Sequence, residues 1–389
     1  MRPTHRTITP SFVRSVARKT LSEVLPWKAC GRLVTVLRLL SVLLAVAASR
    51  RSLSAVVASR SFGFGRETAR KAVDANLPDT ATLVAGLDDA LFSFASRARR
   101  RRRLDIAIDL HYRPFYGTRD TPGIVGGQKK EGTNYSFAYA TAVPIHPRYR
   151  YTLAPVPVVN SRKPHRIVAE LLGVIESHRL RLRGVTLDSG FDSADTILLL
   201  QERGLSYAVP LRRKGRGSNS RNDWFAQPEG TIACRSWKSE SAPRRVVQTA
   251  TVLRTRPRDG RVQLLAFGGW GQGESEAALL RRAGLACRKY AARYGIETSY
   301  RQMNRGRGTT AKDDVRYRLL PIGLALLLRQ VWVWLSGQVA RARGLSDEAW
   351  VAELPLMEML EWLADALERS YPPTRVIDLG RPIAPLDSN

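Results

Sequence analysis

Residues Leu104–Tyr112 read "LDIAIDLHY". Leu104, Ile106, Ile108 and Leu110 alternate with Asp105, Ala107, Asp109 and His111, the period of two expected of a half-buried strand. Upstream the chain reads as helical and basic. Downstream it reads as strands, so the change of period at Leu104 places a boundary there.

Working outward toward the C-terminus, "NYSFAYATAVPI" (Asn134–Ile145) and "YRYTLAPVPVV" (Tyr149–Val159) read as two further strands in a hairpin around His146–Arg148. Pro164–Arg181 is an amphipathic helix with proline at its start. "GVTLDSG" (Gly184–Gly190) is a short buried strand ending in a turn. Asp192–Gly204 is a helix with a polar cap and a glycine stop, and Leu205–Arg212 is another strand. Three strands as a meander, then helix, strand, helix and strand, is the order of a ribonuclease-H-like α/β core, a mixed sheet flanked by helices. Residues 212 to about 272 interrupt it with short strand-like runs and an "RDGR" turn (Arg258–Arg261), read as an all-β insertion. From Glu274 to about Arg305 a long helical pattern returns. Asp313–Gly337 predicts a helix that is apolar almost all round, to be laid against the core. The expected organisation is a helical DNA-binding domain over 1–103, a catalytic domain over 104–337, and a C-terminal helical segment and tail over 338–389.

Composition narrows the partner. The chain has 389 residues, 44% of them apolar, and 63 Lys and Arg against 34 Asp and Glu, for a formal net charge of +29. Such an excess repels itself unless a polyanion is near, so nucleic acid is the first partner to consider. Residues 1–103 carry 20 basic against 6 acidic side chains. Within them Ser52–Pro78 reads as helix, glycine-containing turn and helix, with Arg66, Arg70 and Lys71 on the first turns of the second helix. That is the outline of a helix-turn-helix reader of double-stranded DNA, and equally of a plain helical hairpin. "RARRRRR" (Arg97–Arg103) is expected to connect the domains while gripping phosphates. Cys30, Cys234 and Cys287 fit neither a disulfide framework nor a zinc site, which points to a reducing compartment. No secretion signal is expected at the start, and the apolar runs Leu33–Ala48 and Leu319–Leu335, interrupted by Arg38 and by Pro321, Arg329 and Gln330, read as buried helices rather than membrane spans.

Three carboxylates stand out. Asp109 lies near the end of the first core strand and Asp188 at the end of the fourth; in this sheet order the two strands are neighbours, so the side chains can converge. Tyr290, Arg293, Glu297, Arg301 and Asn304 are spaced 3, 4, 4 and 3 apart. On one helix they share a stripe roughly 80° wide, which can be laid across the aspartates. Phosphodiester cleavage needs an activated oxygen nucleophile and a supported leaving oxygen, which two Mg²⁺ ions roughly 3.5–4 Å apart supply. Mg²⁺ takes hard oxygen ligands, so carboxylates suffice, and Mn²⁺ can substitute. The neighbouring arginines are expected to hold DNA phosphates rather than neutralise Glu297. Among other acids, Asp105 is expected as an edge-strand charge, and Asp192 and Asp195 as helix caps.

"AIDLHYRPFYG" (Ala107–Gly117), "LDSGFDS" (Leu187–Ser193) and "YAARYGIETSYRQMN" (Tyr290–Asn304) resemble the catalytic blocks of insertion-sequence transposases of the DDE class. The branch concerned carries a Tyr-x2-Arg-x3-Glu-x6-Lys signature and a β insertion before it. Tyr290, Arg293 and Glu297 match that signature. The final Lys position is Asn304, with Arg301 or Arg305 available to substitute, and Ser189 follows the second aspartate where Arg is common. The resemblance implies Asp109, Asp188 and Glu297 as metal ligands, with Tyr290 and Arg293 on phosphates near the transposon end. It also implies a tryptophan that stacks on a flipped base: Trp270 lies nearest the expected place, with Trp237 and Trp224 as rivals. The expected function is Mg²⁺-dependent cleavage and strand transfer by a cut-and-paste transposase. It would bind terminal inverted repeats and target DNA as a dimer, in the cytoplasm on the nucleoid, with no membrane involved. The alternatives are a DNA-binding repressor or domesticated derivative that has lost catalysis, and a ribonuclease-H-like nuclease without strand transfer.

Overall fold

The computed structural model describes residues 7–95, 103–145, 151–158, 163–213, 221–238, 245–254, 262–268, 275–345 and 354–374. The expected phosphate-gripping run 97–102 and Trp270 lie outside the described residues. Five helices come first: α1 (Pro10–Val24), α2 (Val36–Ser49), α3 (Leu53–Ser59), α4 (Arg66–Asn76) and α5 (Thr80–Phe94). Then follow β1 (Leu104–Phe115), β2 (Ile124–Lys130), β3 (Thr133–Pro144), β4 (Ala154–Val158), α6 (Pro164–Ser177), β5 (Leu182–Leu187), α7 (Ala194–Glu202) and β6 (Ser206–Leu211). The chain continues through α8 (Arg221–Phe225), β7 (Ile232–Lys238), β8 (Arg245–Arg254), β9 (Val262–Gly268), α9 (Glu276–Ala292), α10 (Tyr294–Met303), α11 (Val315–Ala342) and α12 (Leu356–Ser370).

One mixed sheet organises the chain, in the order β2-β3-β1-β5-β6-β9-β8-β7, with β4 also on β3. β1 runs antiparallel to β3 and parallel to β5, and β5 runs parallel to β6. β1, β3, β4, α6, β5, α7 and β6 are the meander, helix, strand, helix, strand of the sequence reading. Pro155 and Pro157 suit β4 to its position, since proline has no N–H for a second neighbour. β2 was not expected. Its "IVGGQKK" has poor strand propensity, and it forms by pairing with β3 across a turn in which Gly132 takes φ 77°.

The expected all-β insertion also contains the short helix α8, and it lengthens the core sheet: β9 pairs antiparallel with β6, and β8 and β7 follow. An exposed edge at β6 would leave a row of backbone donors and acceptors unpaired, and β9 satisfies them. α1–α5 share one apolar cluster with α10, α11, α12 and one face of the sheet. α11 runs on past Gly337, the expected end of the catalytic domain, to Ala342.

The alternation in β1 sorts its side chains as expected. Ile106 and Ile108 enter the cluster under α6 and α7, while Ala107 and Phe115 enter the cluster under the helical layer. α11 is long and apolar enough to cross a membrane, and 94% of its most apolar window is buried inside the protein. Its polar interruptions serve as ties. Gln330 Oε1 accepts from Thr152 N at 3.0 Å, while Nε2 donates to Thr152 O at 3.0 Å and Leu91 O at 3.3 Å. Arg329 Nε donates to Gln302 Oε1 of α10 at 3.1 Å, which holds the helix bearing Glu297 against the buried layer.

Candidate active site

The last parallel pair between β1 and β5 is Ile108 with Leu187. Asp109 and Asp188 are each the next residue, so both emerge where the two strands end. β1 continues beside β3, with Asp109 opposite Thr141. β5 stops, and Asp188 caps a 3-10 turn over Ser189–Phe191, its Oδ2 accepting from Gly190 N at 3.5 Å. α10 supplies the third acid. Asp109, Asp188, Arg293, Glu297, Arg301 and Asn304, together with Leu110, His111 and Tyr300, line one cleft of about 380 Å³.

The three carboxylates are not equivalent. Asp109 is buried; its Oδ1 accepts from Leu110 N at 2.9 Å and its Oδ2 from Arg293 Nη1 at 3.2 Å. The other arm of that guanidinium, Nη2, donates to Glu297 Oε1 at 2.9 Å. Arg293 is therefore a clasp between two of the three acids, with only 11% of its side chain exposed. Burial pushes the Asp109 carboxyl up to about 6, against the lowering effect of Arg293 and helped by the charges of Asp188 and Glu297. A buried acid that stays hard to ionise beside an arginine marks a place short of positive charge.

The donor set bears on the metal question. Among the described residues, no three His, Cys, Asp or Glu side chains stand close enough to cage one ion. Mg²⁺ needs no cage: it keeps several waters and binds through one or two carboxylates. Asp109 and Asp188, hard oxygen donors at adjacent strand ends, fit that requirement. Glu297 lies on the other arm of the Arg293 clasp, which occupies its Oε1.

The remaining expected site residues divide. Glu297, Arg301 and Asn304 reach the cleft, but the helix is not continuous: α9 ends at Ala292 and α10 starts at Tyr294. At this joint Arg293 N bonds Lys289 O and Tyr290 O, and Ile296 N bonds Arg293 O. The expected stripe is thereby bent, and Tyr290 falls outside the cleft lining, its ring 5.4 Å from the Arg293 guanidinium. Arg293, expected as a phosphate contact, is held here by two carboxylates within hydrogen-bonding distance. Arg301 is exposed and bonds the Tyr294 hydroxyl, Asn304 accepts from Arg307, and Arg305 is exposed. On α4, Arg66 and Lys71 are exposed, while Arg70 is paired with Glu67 at 2.5 Å and Asp74 at 3.0 Å. Asp105 is no edge charge: it is buried in central β1 and receives Lys289 Nζ at 2.8 Å as well as Arg183.

Sequence reasoning missed Tyr300. Its hydroxyl donates to Asp109 O at 2.9 Å and lies 2.8 Å from Thr141 Oγ1, fixing the backbone that carries Asp109. Its spacing of three from Glu297 was the available signal. His111 packs against Tyr300 with ring centres 4.7 Å apart, and burial with the nearby charges of Arg113 and Arg307 pushes its imidazole down to about 4.

Comparison with known proteins adds the fold. No protein-family model and no curated protein matches the chain. Among solved structures, it is similar to a piggyBac transposase determined by cryo-EM as a synaptic complex with hairpin DNA. The TM-score is 0.56 at 12% identity, over 95% of this chain and 83% of that one. The mixed sheet and its flanking helices thus share the fold of that structure.

Proposed function

We propose that the protein is a DNA transposase of the insertion-sequence type, working as a dimer on paired transposon ends in the cytoplasm. The observation that carries this is the cleft: three carboxylates from three separate elements line it, on a fold similar to that of a transposase. The net charge of +29 suits a polyanionic partner. That the similar structure was solved on hairpin DNA supports cut-and-paste through hairpin ends.

In this reading Asp109, Asp188 and, once released from Arg293, Glu297 hold Mg²⁺. Bound there, Mg²⁺ supplies the charge that supports the attacking and leaving oxygens at phosphorus. The chain's own groups do the rest. Tyr300 and Thr141 fix the strand end so that Asp109 keeps its aim. Arg293 offsets carboxylate repulsion before DNA arrives, then turns to a phosphate. Arg301 and Arg305, exposed beside the cleft, grip the strand. His111 is neutral at physiological pH and donates no proton from a charged form.

Asp109→Asn, Asp188→Asn and Glu297→Gln test the assignment on end-bearing duplex with Mg²⁺. Each is expected to bind DNA and to lose cutting by a factor of about 10² or more. If all three cut as the wild type does, the assignment is wrong. The Arg293 clasp favours one competing reading, a DNA-binding repressor that does not cut. Wild-type protein that nicks at no concentration of Mg²⁺ or Mn²⁺ would decide for it.

A further inference from the structure

α10 opens with Tyr294 and carries Glu297 and Arg301, both of which line the carboxylate cleft. Glu297 and Arg301 are four residues apart with the acid on the N-terminal side, the spacing and order at which a helix forms its best ion pair. That pair does not form. Among the described residues Arg301 has no carboxylate partner, and Glu297 is paired with Arg293, four residues back. Arg301 turns the other way: its Nη2 donates to the Tyr294 hydroxyl, and its guanidinium lies 5.2 Å from the centre of the Tyr294 ring.

At about 100° per residue, seven residues bring Arg301 to within about 20° of Tyr294 on the helix surface, roughly two turns along the axis. Glu297 and Thr298 lie between them, one turn from each. The Thr298 hydroxyl donates back to Tyr294 O at 3.4 Å, so the contest for Arg301 is between Glu297 and the tyrosine. An exposed ion pair on a helix is weak, and a ring contact with a hydrogen bond to the same guanidinium outweighs it. The outcome divides the charges around Glu297. Its Oε1 accepts from Arg293, its Oε2 accepts no hydrogen bond among the described residues, and Arg301 stays in the cleft lining without a carboxylate on it. Tyr294 is 57% exposed, too open to serve the core.

We infer that Tyr294 is a positioning residue: it holds Arg301 off Glu297, so that the guanidinium meets a backbone phosphate of the DNA strand entering the cleft. The inference rests on the transposase reading for its choice of DNA. Tied to Glu297, the guanidinium would meet a phosphate as a neutralised pair, with the carboxylate repelling the strand. Held by a neutral ring and hydroxyl, it keeps its full charge and further N–H donors for the phosphate. It also loses less side-chain freedom when DNA arrives, because its direction is already set.

The test uses the full chain and end-bearing duplex with chelator present, so that binding is read without cutting. Arg301→Gln is expected to bind roughly tenfold more weakly. Its slope of log affinity against log salt should be shallower by about 0.9, the value for one phosphate. Tyr294→Ala is expected to bind about two- to fivefold more weakly and to shift the slope the same way, which a neutral substitution does only by moving a charge. Tyr294→Phe, which keeps the ring and loses the hydroxyl, should fall between Tyr294→Ala and the wild type. In the Arg301→Gln background Tyr294→Ala should have no further effect. Glu297→Gln should recover more affinity in Tyr294→Ala than it adds to the wild type, because it removes the competing carboxylate. Both Tyr294 variants should melt with the wild type. An equal loss from Tyr294→Ala with and without Arg301 would overturn the inference, since the ring would then touch DNA itself. Wild-type affinity and slope in Tyr294→Ala would overturn it too, as would a melting temperature lowered by both Tyr294 variants, which marks a structural role. In each of these cases, with the wild type binding and cutting DNA, the positioning role alone falls. If the wild type neither binds nor cuts DNA, the transposase reading falls and takes this inference with it.

Discussion

Replacing Asp109 with Asn should make the metal-free protein more stable while abolishing its activity. The Asp109 carboxyl titrates near 6 in the fold against an ordinary value of 3.8, with burial the main cause. The unfolded chain therefore releases this proton at lower pH than the native one. The native state is at no disadvantage below about pH 4, loses stability progressively as pH rises through 6, and carries the full penalty above it. At 1.36 kcal/mol per pKa unit, the penalty at pH 7 is about 3 kcal/mol. Asparagine keeps the shape and can still accept from Leu110 N through its carbonyl oxygen, but has no charge to bury. Urea denaturation of both proteins with chelator present, at pH 4.5 and at pH 7, measures the difference. It should be small at the lower pH and favour the variant by about 2–3 kcal/mol at the higher. Adding Mg²⁺ should narrow the gap by stabilising the wild type alone, as any ligand of the native state does. A variant less stable than the wild type at pH 7, or a difference that does not change with pH, would refute the account of Asp109 as a strained acid waiting for a cation.

Three other outcomes follow from the packing. Asp88 on α5 is buried, its Oδ1 has no hydrogen-bond partner among the described residues, and burial with the charges of Asp89 and Glu170 pushes its carboxyl up to about 8. By the same sign, Asp88→Asn should gain stability over the wild type as pH rises from 4 to 8 and level off above, by up to about 4 kcal/mol at pH 7, read from denaturant midpoints. Gln330→Leu removes the side-chain partner of Thr152 N–H, Thr152 O and Leu91 O, and should cost about 3 kcal/mol or more in the same assay. A Cβ on Gly86 would stand 2.9 Å from Val24 O, so Gly86→Ala should lower the melting temperature despite alanine's better helix propensity, by an amount equivalent to about 1–3 kcal/mol.

Periodicity carried the β-α core. A strict alternation in Leu104–Leu110 assigns both the strand and the face each side chain takes, because the pleat admits no other arrangement. The order of strands and helices then made Asp109 and Asp188 neighbours, and helical spacing brought Glu297, Arg301 and Asn304 to one side. These readings rest on local geometry, which one segment of chain expresses by itself. Three features do not. β2 exists because β3 offers it a partner, the insertion joins the sheet because β6 has an open edge, and α1–α5 merge with α11 and α12 because their apolar faces outmatch any boundary at 103. The Arg293 clasp and the Tyr300 bond to the Asp109 backbone likewise depend on where a helix comes to lie across a strand some 190 residues away. Spacing along the chain decides which side chains share a face, but only packing decides what that face meets.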